Sequence, residues 1–353
     1  MNLVSRDTLR PNIMRRWVLK AGATGLDRLV LEEVPIPEPG PGEVRLKVHA
    51  AALNYRDQFV LNGQFGQLLT RDTIPLSDGA GEIDAVGTDV SRWAVGDRVT
   101  SVYAFGWVDG PPVPNIPFGL GAKEHDGLLA EYVILPAEQV AAAPTSLSLL
   151  EAATLPCAGL TAWTALNGDR PYHDPVAAGD KVLVLGAGGV SLFALLLARA
   201  RGAEVFATSS QPDKLPRLRA LGASDALNYQ ETPHWGEAIF ARTGGMKRVV
   251  NAVGSSALEQ AIAAVGPGGE IAYMGFFDFS PTPQLVTLIA KGAAVRGTAV
   301  GSANAQADLV RFVDAHGIKP PIDQVFTFEE AREAYQAAIA PGLFGKIVIK
   351  VAE

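Results

Sequence analysis

Cysteine is nearly absent: the 353-residue chain holds only Cys157. One thiol excludes an internal disulfide and any zinc or iron–sulfur centre built from several cysteines. It fits a reducing compartment, and a cytoplasmic location is expected. Charge is also scarce, at 19% of residues with a formal net charge of −7, and no run of Lys and Arg makes a local basic footprint. Nucleic acid is therefore not expected as a partner, whereas a small molecule is. The longest uncharged stretch, residues 182–198, is split by Gly186, Gly188 and Gly189 into a short strand and a helix, so no membrane role is expected. The start of the chain, up to Ile13, is polar and lacks the apolar centre of a signal peptide; strand-like sequence opens at Met14.

What is present is a globular composition, 48% hydrophobic with 37 Gly and 24 Pro. One core serves about 100 to 200 residues, which predicts two domains here. Residues 14–150 are short β-rich runs separated by Pro and Gly, for example 43–50, 80–87 and 129–135, and predict an antiparallel barrel or sandwich. The Gly- and Pro-rich stretch 105–127 is too long for a plain connection; a pocket wall, a flap and a solvated excursion all remain open.

After Leu150 apolar strands alternate with helices at βαβ spacing, which predicts an α/β, doubly wound parallel sheet. Its expected strands are 181–185, 204–208, 226–229, 248–253, 270–274 and 294–299, with helices at 190–201 and 256–265 among them. The tail adds a helix at 305–316, a strand at 325–328, a helix at 328–339 and a last strand at 346–351 that returns to the first domain. The expected division is a β domain of residues 14–152 and 303–353 around a cofactor domain of residues 153–302.

The first of these parallel strands runs straight into Gly186-Ala187-Gly188-Gly189-Val190-Ser191 and a helix. Gly186 permits the tight turn, Gly188 lets the backbone approach a pyrophosphate, and the amides around Gly189 and Val190 face the anion from a helix N-terminus. Ser191, at the pattern's third glycine position, is small enough for close packing. An acid at the end of the second strand would favour NAD by bonding a ribose 2′-hydroxyl. Ser209 and Ser210 stand there instead, with Lys214 a turn later, a set that suits a 2′-phosphate and favours NADPH over NADH.

The ordered motifs PGEVRLKV, ALNYRD, AGEIDAVG, VGDRV, LPCAGLTAW and GAGGVS resemble the medium-chain dehydrogenase/reductase superfamily over nearly the whole chain from Met14. The resemblance is nearest to its zinc-independent quinone oxidoreductase-like and alcohol dehydrogenase-like branches, and it implies a GroES-like β domain beside a Rossmann domain. In zinc-dependent members a Cys, a His-Glu pair and a second Cys hold the catalytic metal. The matching positions here carry Asn54-Tyr55-Arg56-Asp57, Ser77-Asp78 and Cys157, and the four-cysteine structural lobe is missing. One soft ligand does not hold zinc, so no metal is expected. No spacing joins His49, His125 and His173 into another site. Cys157 is open to three readings, a buried small hydrophobe, a reactive thiol near the nicotinamide or a vestigial ligand, of which the first is favoured.

Without a metal, hydride transfer from NADPH needs an activated acceptor, and a quinone or an α,β-unsaturated carbonyl qualifies. By resemblance Asn54 lies beside nicotinamide and substrate, with Tyr55 and Asp57 as further catalytic candidates in the same turn. Phe65 stands where quinone oxidoreductases carry a tyrosine, which leaves Tyr55 or water as proton donor. Thr161, Asn251, Val253, Gly275, Phe276, Phe344, Gly345 and Lys346 match positions around the cofactor, and Tyr229 one near the adenosine phosphate. Phe276, Phe277 and Phe279 either line the acceptor pocket or fill the seam between domains. Alcohol or aldehyde oxidoreduction, enoyl-thioester reduction and NADPH sensing without turnover are the alternatives. A homodimer paired through the edge strand at 294–299 is expected from the resemblance.

Overall fold

The structure is a computed structural model that describes residues 13–112, 118–123, 125–168, 174–276 and 283–352. It holds three sheets: a hairpin of Ile13–Leu19 with Leu29–Pro35, a 7-stranded sheet and a 6-stranded sheet. In the 6-stranded sheet every pairing is parallel, and the strands lie in the order Asp225–Asn228, Glu204–Ser209, Lys181–Leu185, Met246–Asn251, Val265–Tyr273, Ala294–Gly297. Reading outward from Lys181–Leu185 in both directions gives the doubly wound order with a switch point beside that strand. Helices cover both faces, so these strands carry near-continuous apolar residues; Val182, Leu183 and Val184 are fully buried.

The 7-stranded sheet is antiparallel except at its edge. Ile322–Thr327 pairs parallel with Lys346–Lys350, which the helix Ala331–Ala337 makes possible by crossing over between them. Lys346–Lys350 in turn pairs antiparallel with Glu43–Leu53, so the tail does return to the first sheet, through one parallel pair that an all-antiparallel reading lacked. A second departure lies at Val265–Tyr273. The Gly-rich start of this strand, expected to precede it, is inside it: Met246 pairs with Val265 and Arg248 with Glu270, and the extra residues form a bulge with Gly268 at φ 66°. The expected helix at 256–265 is a 3-10 turn, Ser255–Ala257, continued as Leu258–Ala264.

Glu43–Leu53 joins the two halves. Its first residues alternate half-buried and buried, as a sheet with one solvated face should, and its last four are all buried. Ala50 and Ala52 belong to the core that continues under the parallel sheet, whereas Ala51 and Leu53 belong to the core of the 7-stranded sheet. Alanines allow that close double packing, and they deliver the next residue, Asn54, to the seam. Among the described residues no helix is long and apolar enough to cross a membrane.

Candidate active site

At the end of Lys181–Leu185 the chain turns through Gly186 at φ 82°, a left-handed conformation that favours glycine, and its amide donates to Thr208 O at 3.0 Å. Gly188 has an ordinary φ of −80°, and a Cβ there would meet nothing within 4 Å. Packing does not require a glycine at that position; open space in front of the helix Gly189–Ala200 does. No side chain caps this helix, so its first N–H groups remain donors at the positive end of its dipole. Ser191 Oγ donates to Leu185 O at 2.7 Å, which turns the departure from a third glycine into a helix-to-strand tie. The cradle fits the pyrophosphate of a dinucleotide.

The turn opens on a cleft of about 570 Å³ between the sheets. Of the expected residues it brings together Asn54, Tyr55, Thr161, Gly186, Gly188, Gly189, Val190, Val253, Phe276 and Lys346, along with Cys157. Apolar walls come from Tyr103, Phe118, Met274, Val300 and Leu343. A larger depression of about 960 Å³ lies between Trp235–Thr243, Leu258–Ala264 and Val286–Lys291 and holds none of the expected site residues.

Other expected residues lie off the cleft wall. Asp57 is buried, its Oδ1 paired with the Arg56 guanidinium at 2.6 Å and its Oδ2 accepting the Asn54 amide at 2.8 Å. It is a helix-capping and ion-pairing group, not a catalytic carboxylate in the cleft. Asn251 is fully buried, and its Oδ1 accepts the amides of Val253 and Gly254 at 3.1 and 3.0 Å. It shapes the loop that presents Val253. A Cβ at Gly275 would come within 2.3 Å of Val253 C, so that glycine lets two loops touch. Phe344 is buried with the Arg217 guanidinium stacked over it at 3.8 Å.

The adenosine end needs one correction. Lys214 is almost fully buried, and its ammonium donates to Leu343 O at 2.8 Å, so it anchors the tail segment rather than standing ready for a phosphate. Ser209 Oγ accepts the Gln211 amide at 3.1 Å, and the Tyr229 amide donates to Ser209 O at 3.1 Å, so these residues and Ser210 form one tight corner. The described aromatic cluster is Tyr55, Phe59 and Phe276, with ring centroids 5.2 Å apart in both contacts; Phe277 and Phe279 lie outside the described residues. Phe65 packs edge-on against Phe59 at 4.7 Å.

Behind Asn54 and Cys157 of the cleft wall, the three segments matching the metal-ligand positions of zinc-dependent members do converge. Asn54 Nδ2 approaches Ser77 Oγ at 3.4 Å, Ser77 Oγ donates to Asp78 Oδ1 at 2.7 Å, and the Cys157 amide donates to Asp78 Oδ2 at 2.9 Å. Burial pushes the Asp78 carboxyl above its usual range and the Cys157 thiol well above its own. Into this group reaches the Lys346 ammonium, which donates to Leu53 O and to Asn54 Oδ1 at 2.5 Å. A cation beside a neutral thiol and one carboxylate does not make a zinc ligand set. Among the described residues no group of three or more His, Cys, Asp or Glu could hold a metal ion. His125 stacks on Phe105 at 3.8 Å, and His173 lies outside the described residues. Lys346 was expected at the cofactor, and nothing in the spacing ties it to Asn54, 292 residues earlier. The linkage of Asp78 to Cys157 was likewise invisible in sequence.

Residues 189–315 match the zinc-binding dehydrogenase family, and residues 40–145 match the alcohol dehydrogenase GroES-like domain. A zinc-type alcohol dehydrogenase-like protein of Schizosaccharomyces pombe is 38% identical over 344 residues, covering 95% of this chain and 99% of its own. A mitochondrial NAD(P)H oxidoreductase of Bos taurus is 28% identical, over 99% of this chain and 92% of its own. The crystal structure of an NAD-dependent alcohol dehydrogenase superposes with a TM-score of 0.84 at 33% identity, covering 96% of this chain and all of that one. With its GroES-like and Rossmann-like parts, the chain belongs to the alcohol dehydrogenase-like medium-chain dehydrogenase/reductase superfamily and is an NAD(P)H-dependent oxidoreductase.

Proposed function

We propose that the chain catalyses zinc-independent, NADPH-dependent reduction of a quinone or an α,β-unsaturated carbonyl. The observation that carries this reading is the Lys346 ammonium bonded to Asn54 at the place where zinc-dependent members hold their metal. A lysine ammonium in that place, with no metal-ligand group among the described residues, suits an acceptor that delocalises incoming charge by itself, as conjugated carbonyls do. When bound, the cofactor supplies a hydride from its nicotinamide ring. The chain holds the pyrophosphate at the N-terminus of Gly189–Ala200, excludes water with Tyr103, Phe118 and Phe276, and offers Asn54 Nδ2 to the acceptor oxygen. Tyr55, half-exposed on the cleft wall, or a water beside it returns the proton.

The NADPH preference rests on Ser209 and Ser210 in place of an acid at the strand end, no longer on Lys214. The single cysteine supports a reducing compartment such as the cytoplasm. The exposed edge strand Ala294–Gly297 supports a homodimer. A second reading, reversible oxidation of an alcohol with NAD, is favoured by the alcohol dehydrogenases among the relatives.

The test is a fluorescence titration of metal-stripped protein with NADPH and NADH, followed by a panel of quinones, enones, aldehydes and enoyl thioesters. Quinone- or enone-dependent oxidation of NADPH that chelators leave unchanged is expected. Turnover restored only by added zinc, or only alcohol oxidation with NAD, would overturn the reading. Binding without any turnover would make the protein a sensor.

A further inference from the structure

We propose that Lys346 is a positioning residue that sets the donor face of Asn54, and that Gly189 of the dinucleotide turn is the gap through which it reaches. This rests on the reductase reading above, and extends it to a residue outside the Asn54 turn. Lys346 opens the strand Lys346–Lys350 beside the cofactor turn, where Gly345 N–H donates to Ala187 O at 3.1 Å and the Lys346 amide to Pro321 O at 3.0 Å. Its side chain then passes over Gly189: a Cβ at that position would lie 2.7 Å from Lys346 Cδ and 3.3 Å from Ala158 Cβ. Gly188, one residue earlier, has no such neighbour within 4 Å. The two glycines therefore have different tasks, one leaving room for ligand and the other for this lysine.

The ammonium ends against Leu53 O and Asn54 Oδ1. An ammonium has only donors, so the Asn54 atom facing it is the carbonyl oxygen, and the NH2 group is turned to the other side. The backbone is fixed as well, because the Asn54 amide is held by Asp57 Oδ2 at 2.8 Å. Nδ2 approaches Ser77 Oγ at a long 3.4 Å and also hydrogen-bonds the Asp78 carboxyl, so what it offers the cleft is the second N–H of its NH2 group. Without Lys346 only the capping-box contact from the Asp57 amide holds the Asn54 side-chain oxygen, and the amide can turn to offer the acceptor a lone pair in place of an N–H. With it, Nδ2 is preorganised for an oxygen that gains negative charge as hydride arrives, and the lysine polarises the amide in the same direction.

The experiment compares the wild type with Lys346→Met, Asn54→Ala, their double variant, Asn54→Asp and Lys346→Arg. NADPH binding, urea unfolding and single-turnover reduction of 1,4-benzoquinone and 2-cyclohexen-1-one at saturating NADPH are read for each. Lys346→Met and Asn54→Ala should each slow the single turnover by about 100-fold, the size expected for loss of one preorganised donor, with NADPH affinity kept within about threefold. The double variant should be little slower than either single one, because both remove the same donor. Asn54→Asp, which keeps a partner for the lysine but has no N–H, should fold and be equally slow; Lys346→Arg should recover part of the rate. Losses that multiply in the double variant, or a loss confined to NADPH affinity, would overturn the proposal. A wild type that reduces neither acceptor overturns the reductase reading instead. The unfolding cycle then still decides the contact: non-additive destabilisation of positions 54 and 346 retains it, and additive destabilisation removes it.

Discussion

The amide of Cys157 donates to Asp78 Oδ2 at 2.9 Å, tying the π-helical segment Leu155–Gly159 to the strand Asp78–Val86 of the 7-stranded sheet. The carboxylate is fully buried, and burial is the largest cause of its raised pKa. Between the ordinary value of 3.8 and its higher native value, the native state keeps a proton that the unfolded chain has released. The contribution of Asp78 to stability is therefore fully present below that ordinary value and is lost as pH rises through the native one. Urea unfolding of the wild type and Asp78→Asn over a pH series should show the wild type losing stability relative to the variant as pH rises through that window. A difference that is flat, or that grows in favour of the wild type, would refute the assignment.

Gly186 and Gly188 should fail in opposite ways. At Gly186, φ is 82°, so Gly186→Ala should cost about 1–2 kcal/mol of stability from left-handed strain. At Gly188 the backbone is unstrained and a Cβ meets no protein atom within 4 Å, so Gly188→Ala should leave the melting temperature unchanged. The methyl group would instead occupy the open side of the turn. NADPH affinity should fall by at least tenfold, measured by fluorescence titration beside calorimetric unfolding.

Cofactor choice separates the corner serines from Lys214. Ser210→Asp places a carboxylate where a 2′-phosphate would lie, and should weaken NADPH by more than tenfold while sparing or improving NADH. Lys214→Met removes the ammonium bonded to Leu343 O, so it should lower stability by about 1 kcal/mol and weaken both cofactors alike. If Lys214→Met lost NADPH selectively, the lysine would be a phosphate ligand after all, freed when the cofactor binds.

The parallel sheet could be read from sequence because its strands, buried on both faces, are apolar runs bounded by Gly and polar residues. The strand 181–185 was located to the residue for that reason. The end of Glu43–Leu53 is not legible beyond Ala50, because its last residues serve two cores and lose the alternation that marks a half-buried strand. The glycine turn was legible since its φ and spacing demands are local. The Lys346–Asn54 bond was not, because a single lysine at a strand start carries no local signal of the residue it meets across the fold. Lys214 misled for a related reason: its charge is visible in sequence, and the carbonyl that consumes it is not.

The last prediction concerns assembly. Ala294–Gly297 is the outer strand of the parallel sheet, with no strand beyond it among the described residues, and the helix before it, Val286–Lys291, exposes Val286 and Ile289 at 62% and 81%. A bare strand edge next to apolar side chains favours pairing with a second copy, since backbone donors and apolar area are satisfied together. Light scattering should give twice the chain mass of 37.1 kDa at micromolar concentration. Ile289→Glu puts a charge into that contact and should shift the protein toward monomer without lowering NADPH affinity, because Ile289 is not part of the cofactor cleft. A wild type that is monomeric throughout the concentration range would remove the dimer, and an Ile289→Glu variant that stays dimeric would move the interface away from this helix.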